Sequence, residues 1–147
     1  MELNETDKKI LKNLLDDARF SSRQIAKKVG VSVGTVLSRI KKMEDMGIIK
    51  VYSAILDHEK LGYELTVVTE ITVSKGRLVE MENEIAKNPN VCGVYDVTGL
   101  TDAVIIAKFK SREELGKFTK NLLALPYIER TNTHVVLTTV KENFRLL

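Results

Sequence analysis

The sequence predicts an α+β chain built as two units, a three-helix head followed by an antiparallel sheet unit carrying two helices. Three observations lead there. Apolar residues recur at helical spacing three times within the first 47 positions, alternate at a spacing of two from residue 63, and the second part repeats itself weakly at an offset of 37. With 147 residues, 44% of them apolar and 29% charged, the composition is that of a soluble globular chain and excludes disordered and collagen-like classes.

The first helix follows Asn4 or Thr6, either of which can cap it; Asp7 sits favourably in the first turn, and Ile10, Leu11, Leu14 and Leu15 supply the apolar stripe. A second helix starts near Ser21 or Ser22 and presents Ile25, Ala26 and Val29. Gly30 stops it, because glycine readily takes the left-handed conformation of a helix end. After a turn of about three residues, Ser32 caps a third helix in which Val33, Val36, Leu37, Ile40 and Met43 recur at i, i+3, i+4 spacing until Gly47. The β-branched run IIKVYSAIL reads as a strand leading out of the head, and DHEKLG as a connector. The expected boundaries are a helix-turn-helix, winged-helix-like domain over 1–50, a strand linker over 51–62 and a second domain over 63–147.

In that second domain Tyr63, Leu65, Val67, Thr69, Ile71 and Val73 alternate with mostly polar neighbours, as a half-buried strand requires. The repeat sets Ser74 on Ser111, Leu78 on Leu115, Met81 on Phe118, Ile85 on Leu122 and Pro89 on Pro126, while Val67 and Val68 fall on Val104 and Ile105. Each copy reads as strand, Ser-capped helix, Pro-containing loop and strand, and Ser111 with Glu114 fits a capping box. Two copies joined through GLTD give βαββαβ, the ferredoxin-like arrangement with both helices on one face of the sheet. Nothing in the sequence remains to cover the other face, which implies a homodimer packed sheet to sheet or edge to edge.

The net charge of +3 is concentrated in the head: residues 1–62 hold 12 bases and 9 acids, whereas residues 63–147 hold 11 of each. Within residues 19–50, eight bases face only Glu44 and Asp45, a local +6 that suits a polyanion. The helix, three-residue turn and capped helix match a helix-turn-helix, whose second helix enters the major groove of double-stranded DNA. At about 100° per residue, setting Val36 inward brings Ile40 and Met43 beside it and places Gly34, Ser38 and Lys41 outward, flanked by Thr35, Lys42 and Leu37. Ser32, Gly34, Thr35, Leu37, Ser38, Arg39, Lys41 and Lys42 form the candidate DNA-binding set. Gly34 and Ser38 permit close approach to base edges, Leu37 suits a thymine methyl, and Lys41 and Lys42 suit phosphates. Arg39 lies at the boundary, where a structural ion pair is an equal alternative. Few long bidentate side chains are available, so DNA shape is expected to carry much of the specificity.

Other chemistries find little support. No apolar run reaches membrane-spanning length, and MELNETDKK lacks the hydrophobic core of a signal peptide, so no membrane association and a cytoplasmic, nucleoid-associated location are expected. Cys92, in the apolar run NVCGVYDV, reads as a buried small hydrophobe in a reducing environment. His58 and His134 have no second ligand at metal-binding spacing, and no catalytic triad, phosphate loop or CxxC pair is present. Asp16 with Asp17 and Glu113 with Glu114 read as solvated helix positions. No catalytic residue, metal or cofactor is expected, and the chain is not expected to be an enzyme.

The motifs DAR-x-S, IA-x-x-VG-x-S, RI-x-x-ME-x-x-GII and TG-x-x-D occur in order and at suitable spacings, and the chain closely resembles the Lrp/AsnC (feast/famine) transcription regulators along essentially its whole length. The resemblance implies dimers through the C-terminal sheet, commonly assembled into tetramers or octamers, with a small amino-acid effector bound between dimers and changing assembly or DNA affinity. It carries the effector site to Gly99 and Asp102 of the Gly-x-x-Asp turn, with Leu100 and Thr101 in the same loop and Thr131 and Thr133 on the last strand. Amides around Gly99 would face a ligand carboxylate and Asp102 would hold its ammonium; the alternative is a plain hairpin in which Asp102 accepts backbone hydrogen bonds. Many relatives carry an aromatic residue where this chain has Thr101. Two rival functions remain, a tetrapyrrole-processing enzyme subunit similar to siroheme decarboxylases and a ligand sensor that does not bind DNA.

Overall fold

The computed structural model describes residues 3–147; the first two residues of the expected 1–50 domain lie outside the described residues. The chain divides into two compact units, one ending at Ile55 but also taking in Lys141–Leu147, the other spanning Leu56–Val140.

The first unit holds α1 (Glu5–Asp16), α2 (Ser22–Val29) and α3 (Val33–Asp45). Local chemistry fixes their ends. Asn4 accepts the Asp7 amide at 2.9 Å and donates its own amide to the Asp7 carboxylate at 3.1 Å, a reciprocal capping box. Ser21 and Gln24 do the same for α2, which closes on Gly30 at φ 79°. The Thr35 amide donates to the Ser32 hydroxyl at 3.0 Å, and beyond α3 the amides of Gly47 and Ile48 donate back to Glu44 and Met43. Ile10, Leu11, Ile25, Ala26, Val36 and Met43 form the core, with Leu14, Val29 and Ile40 packed against it, whereas Val33 and Leu37 of the third stripe are exposed.

One segment departs from expectation. Residues 48–56, read as a strand, join no ladder, and Val51 and Ile55 remain more than 70% exposed. Strand propensity alone does not make a strand, because its amides and carbonyls need a neighbouring backbone.

The second unit contains β1 (Leu65–Val73), α4 (Leu78–Ile85), β2 (Val91–Asp96), β3 (Ala103–Phe109), α5 (Arg112–Leu123) and β4 (Ile128–Val135). All neighbours pair antiparallel in the order β2-β3-β1-β4, the ferredoxin-like topology. The repeat survives in three dimensions: β2 starts at 91 and β4 at 128, and Met81 with Phe118 and Ile85 with Leu122 are buried under the sheet at equivalent places on α4 and α5. Val67, Thr69, Ile71 and Val73 of β1, with Ala103, Ile105, Ala107 and Phe109 of β3, supply the helix-facing core. The opposite face carries half-buried Val68, Val104 and Ile106 beside exposed Tyr95.

Three local readings are corrected. Ser74 does not cap α4: Gly76 at φ 80° inserts a turn, and Arg77 occupies the cap position without a side-chain hydrogen bond. Ser111 does cap α5, but the Glu114 carboxylate accepts the Lys110 amide at 2.9 Å rather than that of Ser111, so only half of the expected box forms. Cys92 is exposed rather than buried, because the register of β2 against β3 shifts between Val91 and Gly93 and breaks the strict alternation. A Cβ at Gly93 would lie 2.7 Å from the Tyr95 ring, so a larger residue there would have to displace that exposed ring.

Met81→Ala and Ile10→Ala each empty a fully buried position and are expected to cost about 2–5 kcal/mol in urea unfolding. Leu100→Ala, at an exposed turn position, should stay within about 0.5 kcal/mol of the parent.

Candidate functional site

The outer side of α3 matches the projected one. Gly34, Leu37, Ser38, Lys41 and Lys42 are exposed, Thr35 and Ile40 are half-buried, and Val36 and Met43 are buried. Leu37 is 55% exposed between two small residues, so an apolar contact can be made there without any displacement of the helix core. Ser32 and Thr35 are less available, because their hydroxyls lie 2.9 Å apart and Ser32 Oγ also accepts the Thr35 amide.

Arg39 turns the other way. Its Nη1 lies 3.6 Å from Asp7 Oδ2, and that carboxylate is only 1% exposed. The placement is that of the structural ion pair between α1 and α3, not of a groove contact. Lys41 Nζ lies 3.5 Å from Asp45 Oδ1, with both side chains largely solvated. Such a pair is weak and easily exchanged for a phosphate. On α2, Arg23 and Lys27 are exposed and add to the basic surface, while the Lys28 ammonium sits 4.7 Å above the Phe20 ring.

The sequence reading missed Tyr52. Its hydroxyl donates to Glu44 Oε1 at 2.8 Å, pinning the start of the linker segment to the end of α3. Burial, and then the hydrogen bond to the Glu44 carboxylate, push the phenol up to about 12, so it remains a donor. No periodicity links positions 44 and 52, because the turn at Gly47 that brings them together interrupts it.

At the other candidate site, Gly99 sits at φ 123°, Leu100 is exposed, and Thr101 and Asp102 are half-buried. Asp102 acts as a bridge between the turn and the central strand. Its amide donates to Ile71 O at 2.9 Å, its Oδ2 accepts the Val73 amide at 2.8 Å, and its own carbonyl accepts the Val97 amide at 3.1 Å. Oδ1 makes no hydrogen bond among the described residues. Thr131 pairs with Ile71 and Thr133 with Thr69, whose hydroxyl lies 3.1 Å from that of Thr133. Ile71 is also the partner of Ala103. The turn and Thr131 therefore flank one point of β1, two strand spacings or about 10 Å apart, at the same end of the sheet but not in contact within one chain.

His134 Nε2 lies 3.0 Å from Glu70 Oε2, which also accepts the Asn132 amide at 2.9 Å; His134 foremost, then Asn132, holds the Glu70 carboxyl below its usual value. His58 meets the Tyr63 ring edge-on. Among the described residues no group of three His, Cys, Asp or Glu side chains is placed to hold a metal, and no helix is long and apolar enough to cross a membrane.

Comparison with known proteins also divides the chain in two, although it leaves residues 141–146 with the second part. Residues 3–50 match the winged helix-turn-helix DNA-binding family and residues 66–146 match the Lrp/AsnC ligand binding domain. The chain is 50% identical over 146 residues to an uncharacterized HTH-type transcriptional regulator of Pyrococcus furiosus, covering 99% of each. It is 38% identical to the HTH-type transcriptional regulator FL11 of Pyrococcus horikoshii, over 98% of this chain and 95% of that one. A transcriptional regulator of Neisseria meningitidis, solved as an L-Met complex, superposes with a TM-score of 0.90 at 26% identity, over 99% of this chain and 97% of that one.

Arg39→Ala removes the only cation within 4 Å of the Asp7 carboxylate among the described residues. It is expected to cost the head about 1–3 kcal/mol in urea unfolding while leaving the salt dependence of DNA binding unchanged.

Proposed function

The chain belongs to the Lrp/AsnC family of transcriptional regulators, and from that premise we propose how its residues read DNA and sense a ligand. The observation that carries the DNA reading is the strip Gly34, Leu37, Ser38, Lys41 and Lys42, exposed along a helix whose opposite side is core. The small residues admit α3 into the major groove, Leu37 meets a thymine methyl, and Lys41 and Lys42 reach the phosphates beyond. Direct readout is sparse, so the bendability of the site supplies much of the selectivity. Neither the tetrapyrrole enzyme nor the DNA-free sensor is favoured by a chain whose head matches a DNA-binding family.

Two heads come from two copies of the chain. Val68, Val104, Ile106 and Tyr95 on the helix-free sheet face support a partner sheet of the same kind. The unpaired segment 50–57 supports strand pairing between the same two copies. Higher assembly into tetramers or octamers adds avidity on paired half-sites. The effector is a small amino acid held where dimers meet: its carboxylate faces the amides around Gly99, its ammonium takes Asp102 Oδ1, and Leu100, Thr101, Thr131 and Thr133 shape the remainder. The L-Met complex of the Neisseria relative supports an amino acid as the ligand class. The protein acts on chromosomal DNA in the cytoplasm.

Replacing Lys41 and Lys42 together with Ala should weaken binding to all duplexes similarly and reduce the slope of log K against log salt by about 2 in gel-shift titrations; an unchanged slope removes phosphate contact from these positions. Asp102→Asn keeps an acceptor for the Val73 amide but removes the charge. Calorimetric titration with the twenty amino acids should show the tightest ligand weakened about tenfold or more, with its effect on sedimentation lost; unaltered affinity would exclude Asp102 as the ammonium partner.

A further inference from the structure

The C-terminal residues Lys141–Leu147 belong to the DNA-binding unit although the strand they follow belongs to the other. One contact is specific. Arg145 Nη1 donates to the carbonyl of Leu15, 130 residues away, at 3.2 Å. Asn143 sets it up, its side-chain oxygen accepting both the Arg145 amide and Nε at 3.1 Å.

The receiving end needs such a donor. The last carbonyls of a helix have no intrahelical partner and carry partial negative charge. Here α1 has no basic residue in its last turn and ends on Asp16 and Asp17, of which Asp17 is matched by Arg19 at 2.9 Å. Arg145 brings from the far end of the chain the cation that α1 does not supply itself. Leu146 and Leu147 then line, with Leu11, Leu14 and Leu15, a cleft of about 940 Å³ in the same unit.

We propose that Arg145 is a positioning residue for DNA binding: it latches the C-terminal tail to the end of α1, so that the head is tied to the rest of its chain at two points, residues 55–56 and 140–141, rather than one. A head on a single linker swivels about it. A second tether leaves far fewer orientations, and because docking is intramolecular, the charge-assisted hydrogen bond needs no partner from solution. Two heads that must meet half-sites about one helical turn apart thereby keep a narrow spacing preference. Only five residues separate the end of β4 from this tail, so displacement of Thr131 or Thr133 has a short covalent route to the head. The role in spacing rests on the dimeric DNA-binding reading; the latch does not.

The test uses full-length Arg145→Ala, Arg145→Lys and Asn143→Ala, a chain ending at Val140, and Phe144→Ala as a control at an exposed tail position. Without DNA, trypsin cleavage after Lys141 should quicken about tenfold in Arg145→Ala, less in Asn143→Ala and Arg145→Lys, and not in Phe144→Ala. An unchanged cleavage rate in Arg145→Ala overturns the latch. With duplexes selected in vitro on the wild-type protein and then altered in half-site spacing by 2 to 5 base pairs, the wild type should lose affinity at least tenfold, and Arg145→Ala and the truncated chain less than about threefold. Faster cleavage with an unaltered spacing preference overturns the positioning role. Failure of the wild type to select any duplex would strike the DNA-binding reading and the positioning role with it, while cleavage still reads the latch.

Discussion

The carboxylate of Asp7 is the fixed point of the DNA-binding head. A buried charge is costly unless matched, and this one is held through a single oxygen: Oδ2 accepts the Asn4 amide of the α1 cap at 3.1 Å and lies 3.6 Å from Arg39 of α3, while Oδ1 is buried without a hydrogen-bond partner among the described residues. The pairing ties the beginning of the first helix to the middle of the third. With Arg39 turned inward and Val36 and Met43 in the core, α3 cannot rotate about its axis without exposing all three. Gly34, Leu37, Ser38 and Lys41 consequently face outward. The exposed strip is thus what remains of α3 once its packing has been decided.

How far sequence could be translated into structure depended on how local the deciding interaction was. Caps are decided within four residues, and Asn4, Ser21, Ser32 and Ser111 were legible for that reason. The 37-residue repeat was legible because each copy encodes the same short-range pattern, and it fixed the ferredoxin-like topology without any long-range information. Two failures were local, Ser74 displaced from the cap by Gly76 and the half-formed box at Ser111; the others share the opposite property. Segment 48–56 has the composition of a strand but depends on a partner outside itself. Cys92 required knowledge of a register shift against β3, and Arg145 contacts a carbonyl 130 residues away. The effector turn fell between the two. Its motif was recognisable, and the hairpin reading had Asp102 accepting backbone hydrogen bonds, but that the amide would be Val73 of β1, 29 residues away, was not legible.

That bridge gives the sheet a mechanical division of labour. The helix-facing side of β1 and β3 is apolar apart from Thr69, whose hydroxyl is answered by Thr133, and it supplies stability. The other side mixes Val68, Val104, Ile106 and Tyr95 with the Glu70, Asn132 and His134 cluster, a composition suited to a wet, orientation-specific interface. Asp102 stands at the end of both, bonded to the backbone of the central strand. Through the Val73 and Ile71 contacts, the position of the Asp102 carboxylate is coupled directly to the backbone of β1.

The central position of β1 also dictates when the sheet can be finished. One neighbour, β4, is made last, and its pairing joins residues as far apart as Val67 and Val135. At 5 to 20 residues per second of synthesis, roughly 3 to 14 s pass between the emergence of the two partners, during which β1 has one edge open. The strand carrying Thr131 and Thr133 therefore joins after β1, β2 and β3 have been made, and a nascent chain stopped short of it has a helical head already capped but an incomplete sheet.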